Sequence, residues 1–319
     1  MSKIAITGIT GFVGSNVASV LTDFGHEVVG LVRDEKPGLS WNSRIVDFDS
    51  IDALAAAMTD CDAVVHCAIA NDFNRLVEDR EFAYDSYVGM TSRVARASVL
   101  AGAHMVYIST DWIMVGSQHL SLESNPGNSI NLYGFLKALG EQACRDIVSE
   151  SYAVCRIAGV MGMHRAAANP PRKQDVGFGY FVDSLVRSVS GGEEFVVWGP
   201  DFVNEITTPS LAAEIGAQVE RVIARKAVGT FHLVGDDAVT RMQLAELTCE
   251  VFGLDFSKVK TGPVPEGEKF SAGVPVDSSL SNLETKRRLG LGATPLRALL
   301  EAFKLERETG KSQTITKPE

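Results

Sequence analysis

Residues 3–21 read KIAITGITGFVGSNVASVL and place three glycines between an apolar run and an amphipathic stretch. Because glycine has no Cβ, a backbone that contains Gly8, Gly11 and Gly14 can turn tightly and approach a pyrophosphate at the amino end of a helix. The alternative is that these glycines only make a strand-to-helix turn. Their position, with a strand before them and a helix after them, favours a dinucleotide site.

The pattern that follows this motif alternates between short apolar runs and helical stretches. The apolar runs lie at 26–32, 63–66, 105–109 and 153–157, and the helical stretches at 12–24, 81–101 and 132–148. Strands separated by helices predict a parallel sheet that is covered on both faces. We therefore expect an α/β fold with a doubly wound parallel sheet of the Rossmann type.

Beyond residue 160 this alternation becomes looser. The segment MHRAAANPPRKQDVGFG, residues 163–179, is rich in proline, glycine and charge and is predicted to be a loop. Helices are predicted at 181–189, 210–224 and 241–252. The last ten residues, GKSQTITKPE, are expected to be a frayed tail.

The chain is expected to divide into two parts. Residues 1–160 and 203–236 are predicted to form the NAD(P)-binding Rossmann domain. Residues 161–202 and 237–319 are predicted to form a smaller, mixed C-terminal part that binds the substrate.

Composition narrows the class of partner. The chain has 319 residues, of which 45% are apolar and 22% charged, as in an ordinary globular protein. Its net charge of −10 opposes nonspecific binding to nucleic acid or anionic membranes, so neither is an expected partner. The five cysteines form no C-x-x-C pair, and no apolar signal segment is seen, so we expect reduced thiols and a cytoplasmic protein. The expected partner is a small-molecule substrate, and a homodimer remains open.

The ends of the second and third predicted strands bear on the choice of cofactor. Arg33 stands where an NAD site usually has an acidic residue, and a cation there suits the 2′-phosphate of NADP. Asp34 follows directly, and its carboxylate is able to accept a hydrogen bond from the ribose 2′-hydroxyl, so NAD stays possible. A third interpretation is that Arg33 is a solvated surface residue. At the third strand end, Asp47 and Phe48 are placed to meet the adenine. Asp49 or Ser50 is expected to cap the next helix.

Reactive side chains are expected at the end of the strand that contains ISTD, residues 108–111. In a doubly wound sheet, ligands bind beyond the carboxyl ends of the strands. Tyr133 and Lys137 follow at i and i+4, on one face of a helix. An ammonium one turn away should favour the phenolate and lower the pKa of Tyr133 toward neutrality, and the Thr110 hydroxyl can hold the substrate oxygen. A Tyr-Lys pair on a helix surface is the plainer alternative.

These motifs together resemble the extended short-chain dehydrogenase/reductase superfamily, which has the spacing G-x-x-G-x-x-G, a strand ending in Ser-Thr and the pattern Y-x-x-x-K. More narrowly, STDWIMVG at 109–116, Glu123 and NLYGFLKALGE at 131–141 resemble the dTDP-4-dehydrorhamnose reductase family. The later VVWGPDFVNEITTPSLA, at 196–212, is similar to that family as well. The resemblance covers most of the chain.

The resemblance implies roles for individual residues. HCAIA at 66–70 resembles the strand end beside the cofactor ribose, and CRIAGVMG at 155–162 resembles the segment beside the nicotinamide. The implied catalytic residues are Thr110, Tyr133 and Lys137, and the implied substrate-binding residues are Ser109, Asp111 and Trp112. The expected cofactor-binding residues, besides Tyr133 and Lys137, are Gly8, Thr10, Gly11, Phe12, Val13, Gly14, Arg33, Asp47, Phe48, Cys67, Ala68, Ile69 and Ile157.

The chain departs from the family pattern at several positions. Gly159 replaces the usual aromatic residue after the sixth strand, so contacts with the sugar should differ. Ser15 and Asn16 stand where metal-bridged members have an acidic residue, and we expect no metal site. Tyr87 replaces an asparagine of many relatives, which places their proton relay in doubt.

The predicted loop at 163–179 also departs from the family, because it is longer than expected. Its Arg165, Arg172 and Lys173 either receive a diphosphate or carboxylate or belong to a solvated, flexible loop.

The function expected from these features is an NAD(P)-dependent reductase or dehydrogenase that interconverts a ketone and a secondary alcohol on a sugar-like, possibly nucleotide-linked substrate. The cofactor is expected to be NADP, with NAD as the alternative. A sugar-nucleotide epimerase or dehydratase with retained cofactor is the nearest rival. A non-catalytic, NADP-sensing regulatory subunit is the alternative from another class, and an intact set of Thr110, Tyr133 and Lys137 argues against it.

Overall fold

The computed structural model describes residues 1–70, 73–166, 173–270 and 273–319. In chain order the strands are β1 Lys3–Thr7, β2 Glu27–Val32, β3 Asn42–Ile45, β4 Ala63–His66, β5 His104–Thr110, β6 Tyr152–Ile157, β7 Val160–Met161, β8 Phe195–Trp198, β9 Ile206–Thr207, β10 Ser210–Leu211, β11 Gly229–His232, β12 Val239–Thr240 and β13 Val259–Gly262. The helices are α1 Phe12–Asp23, α2 Ile51–Met58, α3 Phe73–Glu78, α4 Arg80–Tyr84, α5 Met90–Ala101, α6 Leu132–Val148, α7 Phe181–Ser190, α8 Ala212–Ala224, α9 Arg241–Phe252, α10 Leu283–Leu289 and α11 Leu296–Thr309.

A parallel sheet forms the centre of the described structure, with the strand order β3-β2-β1-β4-β5-β6-β11. Every neighbouring pair in it is parallel, and the order reverses beside β1, as in a dinucleotide-binding sheet. The predicted α/β doubly wound fold is therefore confirmed. The division of the chain into two parts stays a prediction, and β11, from the segment 203–236, lies beside β6 at one edge of this sheet.

The two faces of the sheet are covered by different helices because successive side chains of a strand point to opposite faces. On one face, Ile4 and Ile6 of β1 pack in the cluster that contains Val17 of α1 and Val219 of α8. On the other face, Ala5 belongs to a cluster built with α2, α5 and α6. A third cluster joins α7, α9 and α11 with the pair of parallel strands β8 and β13, and it also includes Val20 of α1 and Ala217 of α8.

The helical stretch predicted at 81–101 is interrupted by a π-helical turn, Asp85–Gly89, between α4 and α5. The hydroxyl of Thr91, in the first turn of α5, donates at 2.5 Å to the carbonyl of Tyr87 in this π-helical turn. Arg93 pairs with Asp85 at 2.7 Å across it. Helix widening of this kind is frequent near functional sites, and here it places Tyr87 beneath the start of α6.

The expectation of a frayed C-terminal tail is wrong. The Glu214 carboxylate of α8, which is buried, accepts the backbone N–H of Ile315 at 2.7 Å and that of Thr316 at 3.1 Å. Glu319 pairs with Arg225 at 2.9 Å. These partners are more than ninety residues apart in the chain, so the local composition of the tail did not indicate them.

No helix in the described ranges is long and apolar enough to cross a membrane.

We expect the tail to contribute to stability through Glu214. Removing residues 311–319 should lower the free energy of unfolding by at least about 2 kcal/mol, because a buried carboxylate loses its backbone donors. Removing Glu319 alone should cost much less, because its ion pairs lie at the surface. Denaturant unfolding of both variants measures the difference, and equal losses would show that Glu214 does not depend on the tail.

Candidate active site

The glycine motif forms a tight turn between β1 and α1. Gly8 has a φ of +70°, and a Cβ there would lie 2.7 Å from the backbone nitrogen of Ala68. A Cβ on Gly14 would collide with the Gly8 carbonyl oxygen. Gly11 caps α1 without any side-chain hydrogen bond, and the first turn has no acidic residue. The amino end of α1 therefore carries no carboxylate that would compete with a phosphate.

A cavity of about 320 Å³ lies beside this turn. The predicted cofactor residues that line it are Gly8, Thr10, Arg33, Phe48, Ala68 and Ile69. Sequence reasoning missed Lys36, which lines it as well, although a second cation three residues after Arg33 was a readable signal. The guanidinium of Arg33 lies 5.8 Å from the centre of the Phe48 ring.

Asp47 is not brought to this cavity. Its carboxylate accepts the backbone N–H of Asp49 at 2.9 Å and its side chain is exposed. Ser50 caps α2, as expected, by accepting the N–H of Ala53 at 3.2 Å. The turn after β3 therefore uses its carboxylate locally, and Asp47 stays only a prediction as a cofactor ligand.

A larger cavity of about 510 Å³ opens at the carboxyl ends of β5 and β6. Thr110, Tyr133 and Lys137 line it together. The other predicted residues on its walls are Phe12, Val13, Cys67, Ile69, Ser109, Asp111, Trp112 and Ile157. Asn131 caps α6 by accepting the N–H of Gly134 at 2.9 Å, and a Cβ on Gly134 would collide with the Trp112 carbonyl. This close approach brings the first turn of α6 against the end of β5.

Tyr133 is held between two aromatic side chains. The ring centre of Tyr87 lies 5.9 Å away and that of Trp112 6.2 Å away, both edge to face. Burial raises the pKa of Tyr133 to about 12, and a hydrogen bond between Tyr133 and Thr110 opposes that rise. The phenol is therefore protonated at neutral pH and can act as a proton donor.

Lys137 is buried, and its Nζ donates to the Ile108 carbonyl at 2.5 Å. The ammonium also lies 4.2 Å from the centre of the Tyr107 ring. Burial lowers the pKa of Lys137 to about 8. The expectation that Lys137 lowers the pKa of Tyr133 is wrong for this geometry, because the ammonium is bound to β5 and burial of the phenol dominates.

The three residues expected to bind substrate differ in how far other residues of the protein already occupy their polar groups. The Ser109 hydroxyl donates to Glu141 at 2.6 Å, and Glu141 in turn holds Arg156 at 2.9 Å. Its hydrogen is therefore used in a buried network below the cavity. Asp111 is only 5% exposed, and both of its oxygens have hydroxyl partners. Trp112 is half-buried on the cavity wall.

The opposite wall was missed by sequence reasoning. It consists of residues 175–180, Asn204 and residues 267–270. Arg241, buried at the start of α9, holds this wall by donating to the carbonyls of Val176 and Asn204, each at 2.8 Å. An arginine at a helix start gives no sequence signal that separates it from a surface residue.

The Gly159 departure has a structural cause. Gly159 has a φ of +47°, and a Cβ there would lie 2.9 Å from the Thr207 side chain and 3.5 Å from Phe178. Phe178 and Tyr180, from the following segment, line the same cavity. Aromatic surface is thus supplied by the wall at 175–180 instead of by the residue after β6.

The proposed anion-binding role of Arg165 is wrong, and so is its alternative as a solvated loop residue. Arg165 pairs with the buried Glu306 of α11 at 3.0 Å and donates to the Gly310 carbonyl at 2.7 Å. Ser15 and Asn16 are also fully buried and hold this segment, because the Asn16 amide donates to the Met163 carbonyl at 2.8 Å. Lys173 is exposed, and Arg172 lies outside the described residues.

Two further features surround the site. A third cavity, of about 720 Å³, adjoins the one lined by Thr110, Tyr133 and Lys137, and Lys269 lines both. Trp198 and Phe202 are among its other walls. Among the described residues, no group of three or more histidine, cysteine, aspartate or glutamate side chains is placed to hold a metal ion.

Comparison with known proteins gives a consistent result. The family model described as RmlD substrate binding domain matches residues 2–307. The probable low-salt glycan biosynthesis reductase of Haloferax volcanii is 26% identical, over 97% of this chain and 92% of its own. The dTDP-4-keto-6-deoxy-D-glucose reductase of Streptomyces niveus is 25% identical, over 94% and 96% respectively. The crystal structure of dTDP-4-dehydrorhamnose reductase from Bacillus anthracis in complex with NADP has a TM-score of 0.76 at 22% identity and covers 96% of this chain and 99% of that one, which shows a shared fold.

The buried position of Lys137 predicts a pH dependence of stability in the protein without cofactor. The folded state loses the Lys137 proton near pH 8, whereas the unfolded chain keeps it to about pH 10.5. Stability of the wild type should therefore rise with pH across this window relative to Lys137→Met, by roughly 3 kcal/mol in all. Denaturant unfolding at several pH values measures this difference. The exposed Lys311, replaced by Met, is the control, and parallel curves for wild type and Lys137→Met would contradict the assignment.

Proposed function

The chain belongs to the RmlD substrate binding domain family, and we propose that it is an NAD(P)-dependent reductase that converts a ketone of a nucleotide-linked sugar into a secondary alcohol. The observation that carries this proposal is a single cavity with Thr110, Tyr133 and Lys137 on its wall, at the carboxyl edge of a dinucleotide-binding sheet. The reductase names of the relatives support the reaction class.

The proposed chemistry divides between cofactor and protein. The nicotinamide cofactor, when bound, supplies the hydride. Tyr133 supplies the proton to the oxygen of the ketone, and its raised pKa keeps that proton in place at neutral pH. Thr110 donates a hydrogen bond to the same oxygen and stabilises the charge that develops on it. Lys137, on the next turn of α6, is proposed to hold the ribose hydroxyls.

The cavity of about 720 Å³ next to the proposed catalytic cavity supports a substrate in which a second large group is attached to the sugar. The catalytic cavity of about 510 Å³ adjoins the one of about 720 Å³, and the two meet at Lys269. An ammonium between two cavities suits a diphosphate that joins a sugar on one side to a nucleoside on the other. We therefore assign the sugar to the catalytic cavity and the nucleoside to its neighbour, where Trp198 and Phe202 offer aromatic surface.

The small cavity beside the glycine turn supports NADP as the preferred cofactor. Arg33 and Lys36 both line it, so two cations are available near the expected position of the 2′-phosphate. The Nζ of Lys36 lies 3.9 Å from Oδ2 of Asp34, so this carboxylate partly neutralises the charge of Lys36. Arg33 is therefore proposed to carry most of the discrimination against NAD.

Arg33→Ala should weaken the binding of NADPH by roughly 1.5–3 kcal/mol, the usual worth of a hydrogen bond to a charged group. Binding of NADH should change little, because it has no 2′-phosphate. Titration calorimetry with both cofactors measures the two losses, and NADH is the matched control. Equal losses would show that Arg33 supports the fold of the cavity instead of the phosphate.

The reaction is tested by following NADPH oxidation with dTDP-4-keto-6-deoxyglucose and other nucleotide-linked keto-sugars. We expect net oxidation with at least one of them and a loss of at least about a hundredfold in kcat in Tyr133→Phe, because only the proton donor is removed. Tyr87→Phe is the matched control, since it deletes a buried hydroxyl from the ring that packs against Tyr133 and should keep most of the activity. Cofactor that copurifies tightly with no net oxidation would contradict the reductase and favour an epimerase.

A further inference from the structure

Glu205 places a carboxylate in the cavity of about 720 Å³, which we call the nucleoside cavity. Its backbone is held on both sides, because its N–H donates to the Val276 carbonyl at 2.8 Å and its carbonyl accepts the N–H of Arg241 at 3.2 Å. The side chain is half-buried, yet its carboxylate forms no hydrogen bond and no ion pair with any residue that the structure describes. A carboxylate that is partly shielded from water without a partner is unfavourable, so its presence in a cavity points to a ligand.

Glu205 lies at the end of the nucleoside cavity that faces the proposed catalytic cavity. The residue before it, Asn204, lines the proposed catalytic cavity. Arg241 lines the nucleoside cavity and donates to the carbonyls of Asn204 and Val176 on the wall of the other one. Burial lowers the pKa of Arg241 to about 10, and nearby carboxylates, Glu205 among them, oppose that fall. The Glu205 carboxylate therefore lies near the wall where the two cavities meet, as Lys269 does.

The cations on the walls of the nucleoside cavity are bound to other groups. The guanidinium of Arg241 donates to the backbone carbonyls of Asn204 and of residues 175–177. Lys269 pairs with Glu266 at 2.5 Å, and because Glu266 is exposed, a diphosphate can replace it. The Glu205 carboxylate, which only accepts hydrogen bonds, therefore has to find its donors in a ligand.

The ribose of a nucleotide-linked sugar offers donors at this position. Ribose is attached directly to the diphosphate, so a substrate with its diphosphate at Lys269 places the ribose at the near end of the nucleoside cavity. The 2′- and 3′-hydroxyls of ribose are adjacent donors, and the two oxygens of a carboxylate can accept both. An acidic residue binds the ribose of NAD in the same chemical way. Deoxyribose keeps the 3′-hydroxyl and lacks the 2′-hydroxyl.

We propose that the Glu205 carboxylate binds the 2′- and 3′-hydroxyls of a ribonucleotide-linked sugar and selects it over the deoxyribonucleotide equivalent. This inference rests on the proposed reductase function and on its assignment of the nucleoside to this cavity. It separates the chain from the Streptomyces niveus relative, whose name specifies a dTDP-linked sugar, because that nucleotide has no 2′-hydroxyl.

Phe202 independently indicates a ligand in the nucleoside cavity. Its φ is +65°, in the left-handed region that a bulky residue rarely adopts, and its side chain is 58% exposed. Backbone strain of this kind is found mostly at binding sites, where the surrounding structure maintains it. The Nζ of Lys269 lies 5.3 Å from the centre of the Phe202 ring. The ring is therefore close to the position assigned to the diphosphate and can pack against the attached nucleoside.

Calorimetric titration with UDP, dUDP, GDP and dGDP tests the contact without requiring turnover. Each nucleotide is measured with saturating NADP⁺, so that it cannot bind in the cavity beside the glycine turn. The members of each pair differ only in the 2′-hydroxyl. In at least one pair, the wild type should bind the ribonucleotide about tenfold to a hundredfold more tightly, the usual effect of a hydrogen bond to a charged group. Glu205→Ala should reduce this ratio to about one, with an unchanged melting temperature, because the carboxylate has no partner within the described structure.

Asp201→Ala is the matched control, since it removes an exposed carboxylate from the wall of the same cavity and should leave the ratio unchanged. A wild-type ratio near one in both pairs, or a ratio that survives Glu205→Ala, would overturn the ribose contact and leave the reductase function standing. An equal loss of ribonucleotide and deoxyribonucleotide binding in Glu205→Ala would overturn it too, because the carboxylate would then act on the base or on the fold. If none of the four nucleotides binds, the nucleotide-linked substrate of the proposed function is refuted together with the ribose contact.

Discussion

The whole site depends on the fact that parallel strands end at the same edge of a sheet. The turn after β1, the Arg33 segment after β2, the segment after β4 and the Ser-Thr-Asp end of β5 all lie along that edge, because every strand of the central sheet runs in one direction. The backbone turns at this edge can pack closely enough to hold a ligand only where no side chain separates them. Gly8 and Gly14 meet that requirement, since a side chain at either position would collide with the neighbouring turn.

Burial then determines the chemistry of the groups gathered at that edge. The same loss of water raises the pKa of Tyr133 and of Asp111 and lowers that of Lys137, so each of these groups is pushed toward its neutral form. Hydrogen bonds from Thr110 and Ser278 limit the effect on the two acids. Ser278 comes from the segment before α10 and lowers the pKa of Asp111, so the protonation of the site depends on a residue well outside the motifs of β5 and α6.

Much of this arrangement could be predicted from the sequence, and the exceptions share a cause. The bounds of β4, α6 and α9 follow from local periodicity, and Thr110, Tyr133 and Lys137 come together because motif spacing fixes their place on β5 and α6. Arg165 and the tail residues could not be placed in this way. Their partners, Glu306 and Glu214, lie more than ninety residues away, and a charged residue looks the same in a sequence whether it is buried in a pair or solvated.

Because β11 belongs to the central sheet, this sheet is not built from one continuous stretch of the chain. The chain leaves the sheet after β6, forms part of the second core, and returns with α8 and β11 before leaving again. A fragment that stopped after β6 would expose that strand as an open edge and would uncover the face of α1 that α8 protects. The exposed edge of β6 in such a fragment would be able to pair with a strand of another molecule. The central sheet is therefore completed only by a strand that comes after the second core in the chain.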